Sequence, residues 1–137
     1  MRAVLDPNVV ISGLISSAGA PAHLLAAVAA GRAEVFVSPL LLDELERALA
    51  YPKLRRLIVG EDARRALGWL SGMGRHVDDP QAAPPVRSDD LGDDYLIGLA
   101  ASQRAALVSG DQHLLVLKDR IPVYSPREFL ELLGSGG

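Results

Sequence analysis

The chain contains no cysteine and few aromatic residues. Without cysteine, its 137 residues can form neither disulfides nor thiolate zinc sites, and they offer no cysteine nucleophile. Aromatic residues make up 4% of the sequence, which argues against a surface that stacks nucleobases. No apolar run reaches the roughly 18–20 residues that a transmembrane helix requires. The sequence therefore predicts a cytoplasmic protein without a membrane contact.

An excess of basic residues is also missing. There are 14 lysines and arginines against 17 aspartates and glutamates, so the formal net charge is −3. A protein that coats nucleic acid is normally basic, so any nucleic acid must be held here by a local patch or through metal ions. The length fits one domain. We expect that domain to span residues 1–133, followed by a flexible tail at 134–137.

Short apolar stretches typical of buried strands alternate with helical patterns. Strands are predicted at residues 3–5, 34–37, 106–109 and 121–124. Ser38 and Ser125 are candidate N-caps, and Glu128 completes a capping box with Ser125. Buried strands separated by helices favour a parallel sheet covered on both faces. The predicted fold class is α/β, with a parallel sheet sandwiched between helices in three layers.

Acidic residues follow or flank these predicted strands. Asp6 comes directly after the first strand, and Asp111 comes just after the strand at 106–109. In parallel sheets, ligands bind at the carboxyl ends of the strands. Two further acids lie on helices next to that edge, Glu44 and Asp93. Taken singly, each acid also fits a turn or a solvated helix face, but a set of oxygen ligands on one edge favours Mg²⁺ or Mn²⁺.

Five stretches together carry a resemblance to a known family. They read VLDPNV at 4–9, SPLLLDEL at 38–45, DDYLIGLA at 93–100, LVSGD at 107–111 and YSPREFL at 124–130. In order and spacing, the sequence resembles the PIN-domain ribonucleases, and most closely the VapC-like toxins of bacterial toxin–antitoxin pairs. No single stretch is specific, and the resemblance rests on their combination over nearly the whole chain.

The resemblance implies a PIN-like fold with an acidic pocket that binds Mg²⁺ or Mn²⁺. Carried over residue by residue, the catalytic and metal-binding acids are Asp6, Glu44, Asp93 and Asp111. Asn8 and Ser109 would support them through hydrogen bonds. Asp94 is a neighbouring acid that a shift of one residue would make the ligand. The family usually has threonine where this chain has Pro7, which removes a hydroxyl and a backbone N–H near the metal.

The activity that the resemblance implies is cleavage of RNA by water attack on a phosphodiester. It also implies a homodimer and a separately encoded antitoxin. Twelve of the 14 basic residues are arginine, whose forked guanidinium suits phosphate. Candidate RNA-binding residues are Arg47, Arg55, Arg56 and His113. A solvated helix face explains the arginines equally well.

Three other readings remain open at this point. A degenerate PIN module would bind metal or RNA without cleaving it. An aspartate-based phosphatase also begins with a strand followed by aspartate, but its chemistry needs a second acid two residues later, where this chain has Asn8. A receiver-like module needs an acid after a middle strand, and Val37-Ser38 offers none. Covalent phosphoryl capture separates the phosphatase from the nuclease.

Overall fold

The sheet has five short parallel strands within residues 1–135, the part of the chain that the computed structural model describes. They are β1 (Arg2–Leu5), β2 (Glu34–Val37), β3 (Arg75–His76), β4 (Ala106–Val108) and β5 (Val123–Tyr124). Their spatial order is β3-β2-β1-β4-β5, and every neighbouring pair is parallel. The predicted parallel α/β sheet is confirmed.

Helices flank this sheet in a three-layer α/β/α arrangement, as predicted. They are α1 (Pro7–Ile15), α2 (Ala20–Ala29), α3 (Pro39–Leu49), α4 (Pro52–Arg55), α5 (Gly60–Met73), α6 (Asp94–Ser102), α7 (Gln112–Leu115) and α8 (Pro126–Ser135). A 3₁₀ turn, Leu91–Asp93, leads into α6. Helix α6 packs against β1 and β4, whereas α2 packs against α1 and α8. Short strands covered by helices explain why the sheet sequences are almost entirely apolar.

The order in which the chain adds strands changes direction at β1, in the centre of the sheet. From β1 it moves outward to β2 and β3, and it then returns to the other side of β1 as β4. The backbone N–H of Asp6 donates to the carbonyl of Val108 at 2.9 Å, which carries the β1–β4 pairing beyond the end of β1. The crevice at such a reversal is where open parallel sheets bind ligands. The fold therefore brings the ends of β1 and β4 together at that crevice.

Two helix starts predicted from sequence have the expected capping contacts. Ser38 Oγ accepts a hydrogen bond from the Leu41 N–H at 3.3 Å. Ser125 and Glu128 form the reciprocal capping box, in which each backbone N–H donates to the other side chain at 2.9 and 3.1 Å. These bonds satisfy N–H groups that have no partner within the helix. Local sequence chemistry thus sets where α3 and α8 begin.

The end of the chain differs from the sequence expectation. Helix α8 continues to Ser135, so residues 134 and 135 belong to the helix and not to a tail. Extending a helix is favourable because each added residue closes one more backbone hydrogen bond. Residues 136–137, the rest of the predicted tail, lie outside the described residues. The short helix α7 was not predicted at all.

The length and composition of the helices bear on the predicted absence of a membrane contact. Within residues 1–135, no single helix is long and apolar enough to cross a membrane. Helices α1 and α2 meet the length and composition limits only when joined, and they are bent by 105° at the break between them.

Replacing two glycines by alanine, one inside α5 and one at its C-terminal end, should have opposite effects on stability. At Gly74, an added Cβ would lie 2.7 Å from the Leu70 carbonyl oxygen and 2.9 Å from Val37 Cγ1. At Gly68, inside the helix, it would meet nothing within 4 Å. We expect Gly74→Ala to lower the free energy of unfolding by about 1–3 kcal/mol through overpacking. Gly68→Ala should raise it by roughly 0.5–1 kcal/mol because alanine favours the helix. Urea denaturation measures both, and equal effects would contradict the packing described at Gly74.

Candidate functional site

Asp6, at the end of β1, is almost fully enclosed, with 3% of its surface exposed. Its Oδ1 accepts a hydrogen bond from the backbone N–H of Asn8 at 3.0 Å, and its Oδ2 accepts one from the Ser109 hydroxyl at 2.7 Å. Ser109 Oγ in turn accepts the backbone N–H of Asp111 at 3.0 Å. The buried serine therefore links the acids that follow β1 and β4.

Asp93 reaches the same place from the 3₁₀ turn before α6. Its carboxyl group lies within hydrogen-bonding reach of the Asp111 side chain and close enough to Asp6 for their charges to interact. Its Oδ2 is buried and has no hydrogen-bond partner among residues 1–135. Such an atom is costly to bury unless something else satisfies it. Asp6, Asp93 and Asp111 are called the acid cluster below.

The electrostatics of the acid cluster disfavour its full ionisation. Burial raises the pKa of Asp93 to about 7, assisted by the negative charges of Asp6 and Asp90 and by Asp111. Burial also raises the pKa of Asp6, and the charge of Asp111 adds to this rise, while hydrogen bonds from Asn8 and Ser109 oppose it. Both shifts arise because carboxylates are desolvated beside like charges. Perturbed carboxyl groups in a crevice are typical of functional sites.

Glu44, the fourth predicted acid, is held at the border of the acid cluster by Tyr95. The Tyr95 hydroxyl donates a hydrogen bond to Glu44 Oε2. The pKa of Tyr95 is raised by burial first, then by Glu44, and also by the charges of Asp6 and Asp93. The tyrosine therefore bonds to Glu44 and is close enough to Asp6 and Asp93 to feel their charges, so Glu44 lies near the same edge of the sheet as the acid cluster.

Sequence reasoning missed two residues that support Glu44. Tyr95 lay within a noticed stretch, but its partner is 51 positions away, so no local pattern indicates their contact. Asp79 follows β3, and its Oδ2 accepts the backbone N–H of Leu40 at 3.0 Å, in the first turn of the helix that carries Glu44. No strand was predicted directly before Asp79, so the strand-end signal that identified Asp6 did not point to it.

Asp93 and Asp94 have different surroundings although they are adjacent. Asp94 is 8% exposed, and its Oδ1 accepts the backbone N–H of Ser88 at 2.8 Å. Its Oδ2 pairs with Arg87 at 3.3 Å. Asp94 therefore holds the loop before α6 in place, whereas Asp93 lies near Asp6 and Asp111. Loop groups thus occupy both oxygens of Asp94. That Asp94 takes the place of Asp93 as the ligand, or supports it, stays a prediction.

The other predicted residues divide into neighbours of the acid cluster and residues with other contacts. Asn8 supports Asp6 through its backbone N–H, while its side chain is exposed. His113 donates its backbone N–H to Asp111 Oδ1 at 2.8 Å, and its side chain is also exposed. Arg47 pairs with Asp43 at 3.3 Å. Arg55 lines a separate cavity with Arg64, and Arg56 is exposed beside it in the chain.

The chemistry of these donors fits a divalent cation. All of them are carboxylate oxygens, the ligands that Mg²⁺ and Mn²⁺ prefer, and a cation would relieve their mutual repulsion. The buried, unpartnered Oδ2 of Asp93 is a donor free to take one up. Among residues 1–135, however, no three His, Cys, Asp or Glu side chains already stand in an arrangement that holds a metal ion.

A parallel sheet with carboxylates at its point of reversal defines an α/β protein whose ligand site lies in that crevice. The family model of the PIN domain matches residues 2–113. The chain belongs to the PIN domain family, as the sequence predicted. PIN domains are generally nucleases.

Two individual proteins extend the comparison. The chain is 27% identical, over 142 aligned positions, to an uncharacterized protein of Methanocaldococcus jannaschii; the match covers 96% of this chain and 90% of that protein. The fold is also similar to the crystal structure of VapBC2 from Rickettsia felis bound to a DNA fragment from their promoter. That match has a TM-score of 0.59 at 14% identity and covers 91% of this chain and 98% of the other. At this identity the second comparison supports the fold.

The contrast between Asp93 and Asp94 predicts opposite effects on the metal-free protein. The pKa of Asp93 is about 7 in the folded state, above its ordinary value of 3.8. The protonated carboxyl group therefore contributes stability that is fully present below pH 3.8 and is lost as the pH rises through 7. Near pH 8 in EDTA, Asp93→Asn should therefore raise the midpoint of thermal unfolding. Asp94→Asn should lower the free energy of unfolding by about 1–3 kcal/mol because it weakens buried hydrogen bonds.

Thermal melts of the two variants between about pH 5 and pH 8 make the comparison. The benefit of Asp93→Asn should shrink toward the acid end, where the wild-type carboxyl group is protonated. A stabilising Asp94→Asn combined with a destabilising Asp93→Asn would show that the two acids have been assigned the wrong way round.

Proposed function

We propose that the protein is a metal-dependent endoribonuclease and the VapC-like toxin of a toxin–antitoxin pair. Its membership of the PIN domain family supports nuclease chemistry. The observation that carries the proposal is the acid cluster, in which burial and like charges raise the pKa of Asp93 to about 7. A site built this way favours a bound cation over the bare carboxylates.

The residues that would hold Mg²⁺ or Mn²⁺ are Asp6, Asp93 and Asp111, with Glu44 as a direct ligand or through water. Such an ion, when bound, lowers the pKa of an attacking water and stabilises the leaving oxygen of a phosphodiester. Three oxygens support this assignment. Among residues 1–135, Asp93 Oδ2 has no hydrogen-bond partner, Asp6 Oδ2 accepts one bond from the Ser109 hydroxyl, and Asp111 Oδ1 accepts one from the backbone N–H of His113.

The chain's own residues orient these acids. Ser109 fixes Asp6 through its hydroxyl and Asp111 through its Oγ, so one side chain sets the distance between two acids. Tyr95 holds Glu44 through its hydroxyl. Supporting hydrogen bonds of this kind tune ligand orientation and basicity at metal sites. No side-chain nucleophile is needed in the proposed reaction, because water attacks the phosphorus.

RNA is the proposed substrate, and its phosphates must overcome the negative charge of the acid cluster. A divalent ion supplies part of that attraction, and arginines supply the rest. The candidate contacts are Arg55 at the end of α4, Arg56 directly after it, and Arg47 in the last turn of α3. His113, whose backbone N–H bonds to Asp111, is a fourth. Charge held locally in this way is compatible with the acidic composition of the whole chain.

A cognate antitoxin is the proposed protein partner, together with a second copy of the chain in a homodimer and a cytoplasmic location. An apolar cavity of about 500 Å³ supports a protein partner, since residues of α1, α2 and α5 line it, among them Leu14, Leu25 and Trp69. Leu57 and Val59 at this cavity are 59% and 66% exposed, which is costly without a partner.

Removing the carboxylate of Asp6 tests the nuclease proposal. We expect Asp6→Asn to cut Mn²⁺-dependent cleavage of a labelled RNA pool by more than about 100-fold, since a charged ligand is lost. Asp62→Asn, an exposed acid at the start of α5, is the matched control and should leave the rate unchanged. Circular dichroism confirms that both variants fold. Full cleavage by folded Asp6→Asn, or Mn²⁺ binding by the wild type without any cleavage, would reject the proposal.

Ser109 tests how the acids are oriented. We expect Ser109→Ala to weaken Mn²⁺ binding roughly 10–100-fold, because Asp6 loses a hydrogen-bond donor and the Asp111 N–H loses its acceptor. Calorimetric titration of Mn²⁺ into the nuclease and its variant measures the loss. The matched control is Ser102→Ala on α6, whose hydroxyl bonds only to the Leu99 carbonyl and to Gln103 in the described chain. Unchanged Mn²⁺ affinity in Ser109→Ala would show that Ser109 does not orient the ligands.

A further inference from the structure

A second cavity adjoins the acid cluster on the side of β5 and α8. It has a volume of about 470 Å³, and Asp111 of the acid cluster forms part of its wall. Asn8, whose backbone N–H holds Asp6, also lines it. This space is called the α8 cavity below. It is not a separate pocket elsewhere on the surface but a continuation of the candidate site.

The walls of the α8 cavity combine two kinds of surface. Pro21 and Pro126 contribute rigid apolar faces. Asn8 and Ser12 contribute polar groups, and because they lie four residues apart on α1 their side chains point to the same face of that helix. A cavity of this size that is mostly apolar with a few converging polar groups is typical of small-ligand sites.

Arg127 is the one cation among the residues that line the α8 cavity. It is exposed, and in the described chain it forms no ion pair. The acid next to it in sequence, Glu128, is already engaged with Lys118 and with the backbone N–H of Ser125. The guanidinium therefore remains available to an anion that enters beside Asp111. The acid cluster and this arginine give the joined crevice one negative and one positive end.

We propose that the α8 cavity binds the nucleotide next to the scissile phosphodiester, with Arg127 pairing with its phosphate. The proline faces would pack against the sugar or base, and Asn8 and Ser12 would offer hydrogen bonds to its polar edge. This inference rests on the proposed function, because it assigns a path for single-stranded RNA away from the acid cluster. Arginine is suited to this task because its fork makes two parallel bonds to phosphate oxygens.

Cleavage kinetics of a short fluorescein-labelled RNA pool of random sequence, with Mn²⁺, test the inference. We expect Arg127→Ala to raise KM about tenfold while kcat stays within about twofold, because the lost contact binds substrate without touching the reacting atoms. The dependence of log KM on log salt should weaken by about 0.7, the contribution of one phosphate contact on a single strand. Arg127→Lys keeps the charge and should restore most of the KM.

Arg120→Ala is the matched control. Arg120 is also an exposed arginine, but it precedes β5 whereas Arg127 follows it, so it belongs to the opposite edge of the sheet. It should leave KM and the salt dependence unchanged. If Arg120→Ala and Arg127→Ala raised KM equally, the effect would come from the loss of any positive charge, and the inference would be overturned. A KM for Arg127→Ala equal to that of the wild type would overturn it too, and in that case the proposed nuclease would still stand.

Failure of the proposed function gives a different result. If the wild type cleaves none of the RNA, fluorescence anisotropy with the same pool tests whether the α8 cavity binds RNA. Weaker binding by Arg127→Ala than by Arg120→Ala would support a nucleotide site in a protein that is not a nuclease under these conditions. Equal binding by both variants would overturn the α8 cavity as a nucleotide site.

Discussion

The parallel pairing of β1 with β4 is the constraint on which the candidate site depends. The two strands are far apart in sequence, and they become neighbours because the chain reverses its path across the sheet between β3 and β4. The Asp6 N–H bonds to the Val108 carbonyl, and the next residue after Val108 donates its hydroxyl to the Asp6 carboxylate. A slip of one residue in this register would turn Ser109 to the other face of the sheet and separate it from Asp6.

Holding these acids together works against the stability of the fold. Asp6 is nearly fully enclosed, yet no cation among the described residues lies in its hydrogen-bond set; its partners are a backbone N–H and a hydroxyl. Those two bonds offset part of the desolvation, and the remaining cost appears as the raised pKa values of Asp6 and Asp93. A protein selected for stability alone would replace such acids. A bound cation of the kind proposed above would offset this cost.

Features set by neighbouring residues could be predicted from the sequence, and those set by distant contacts could not. Ser38 and Ser125 cap helices through groups three residues away, so their roles follow from local patterns. The strand-end position of Asp6 follows from the apolar run before it. By contrast, the contact of Tyr95 with Glu44 depends on how α6 and α3 meet across the sheet edge. The different surroundings of Asp93 and Asp94 likewise depend on where the loop carrying Ser88 folds back.

Pro7 stands where the family usually has threonine, and the structure limits the effect of this difference. Pro7 is the first residue of α1, a position whose N–H has no partner within a helix, and proline is suited to it. The Asp6 carboxylate takes its backbone hydrogen bond from Asn8, one residue further on. The lost N–H of position 7 therefore leaves Asp6 with its capping bond intact. Relative to a threonine, the chain lacks this N–H and a hydroxyl, and at Asp6 the hydroxyl of Ser109 is already bonded to Oδ2 of the carboxylate.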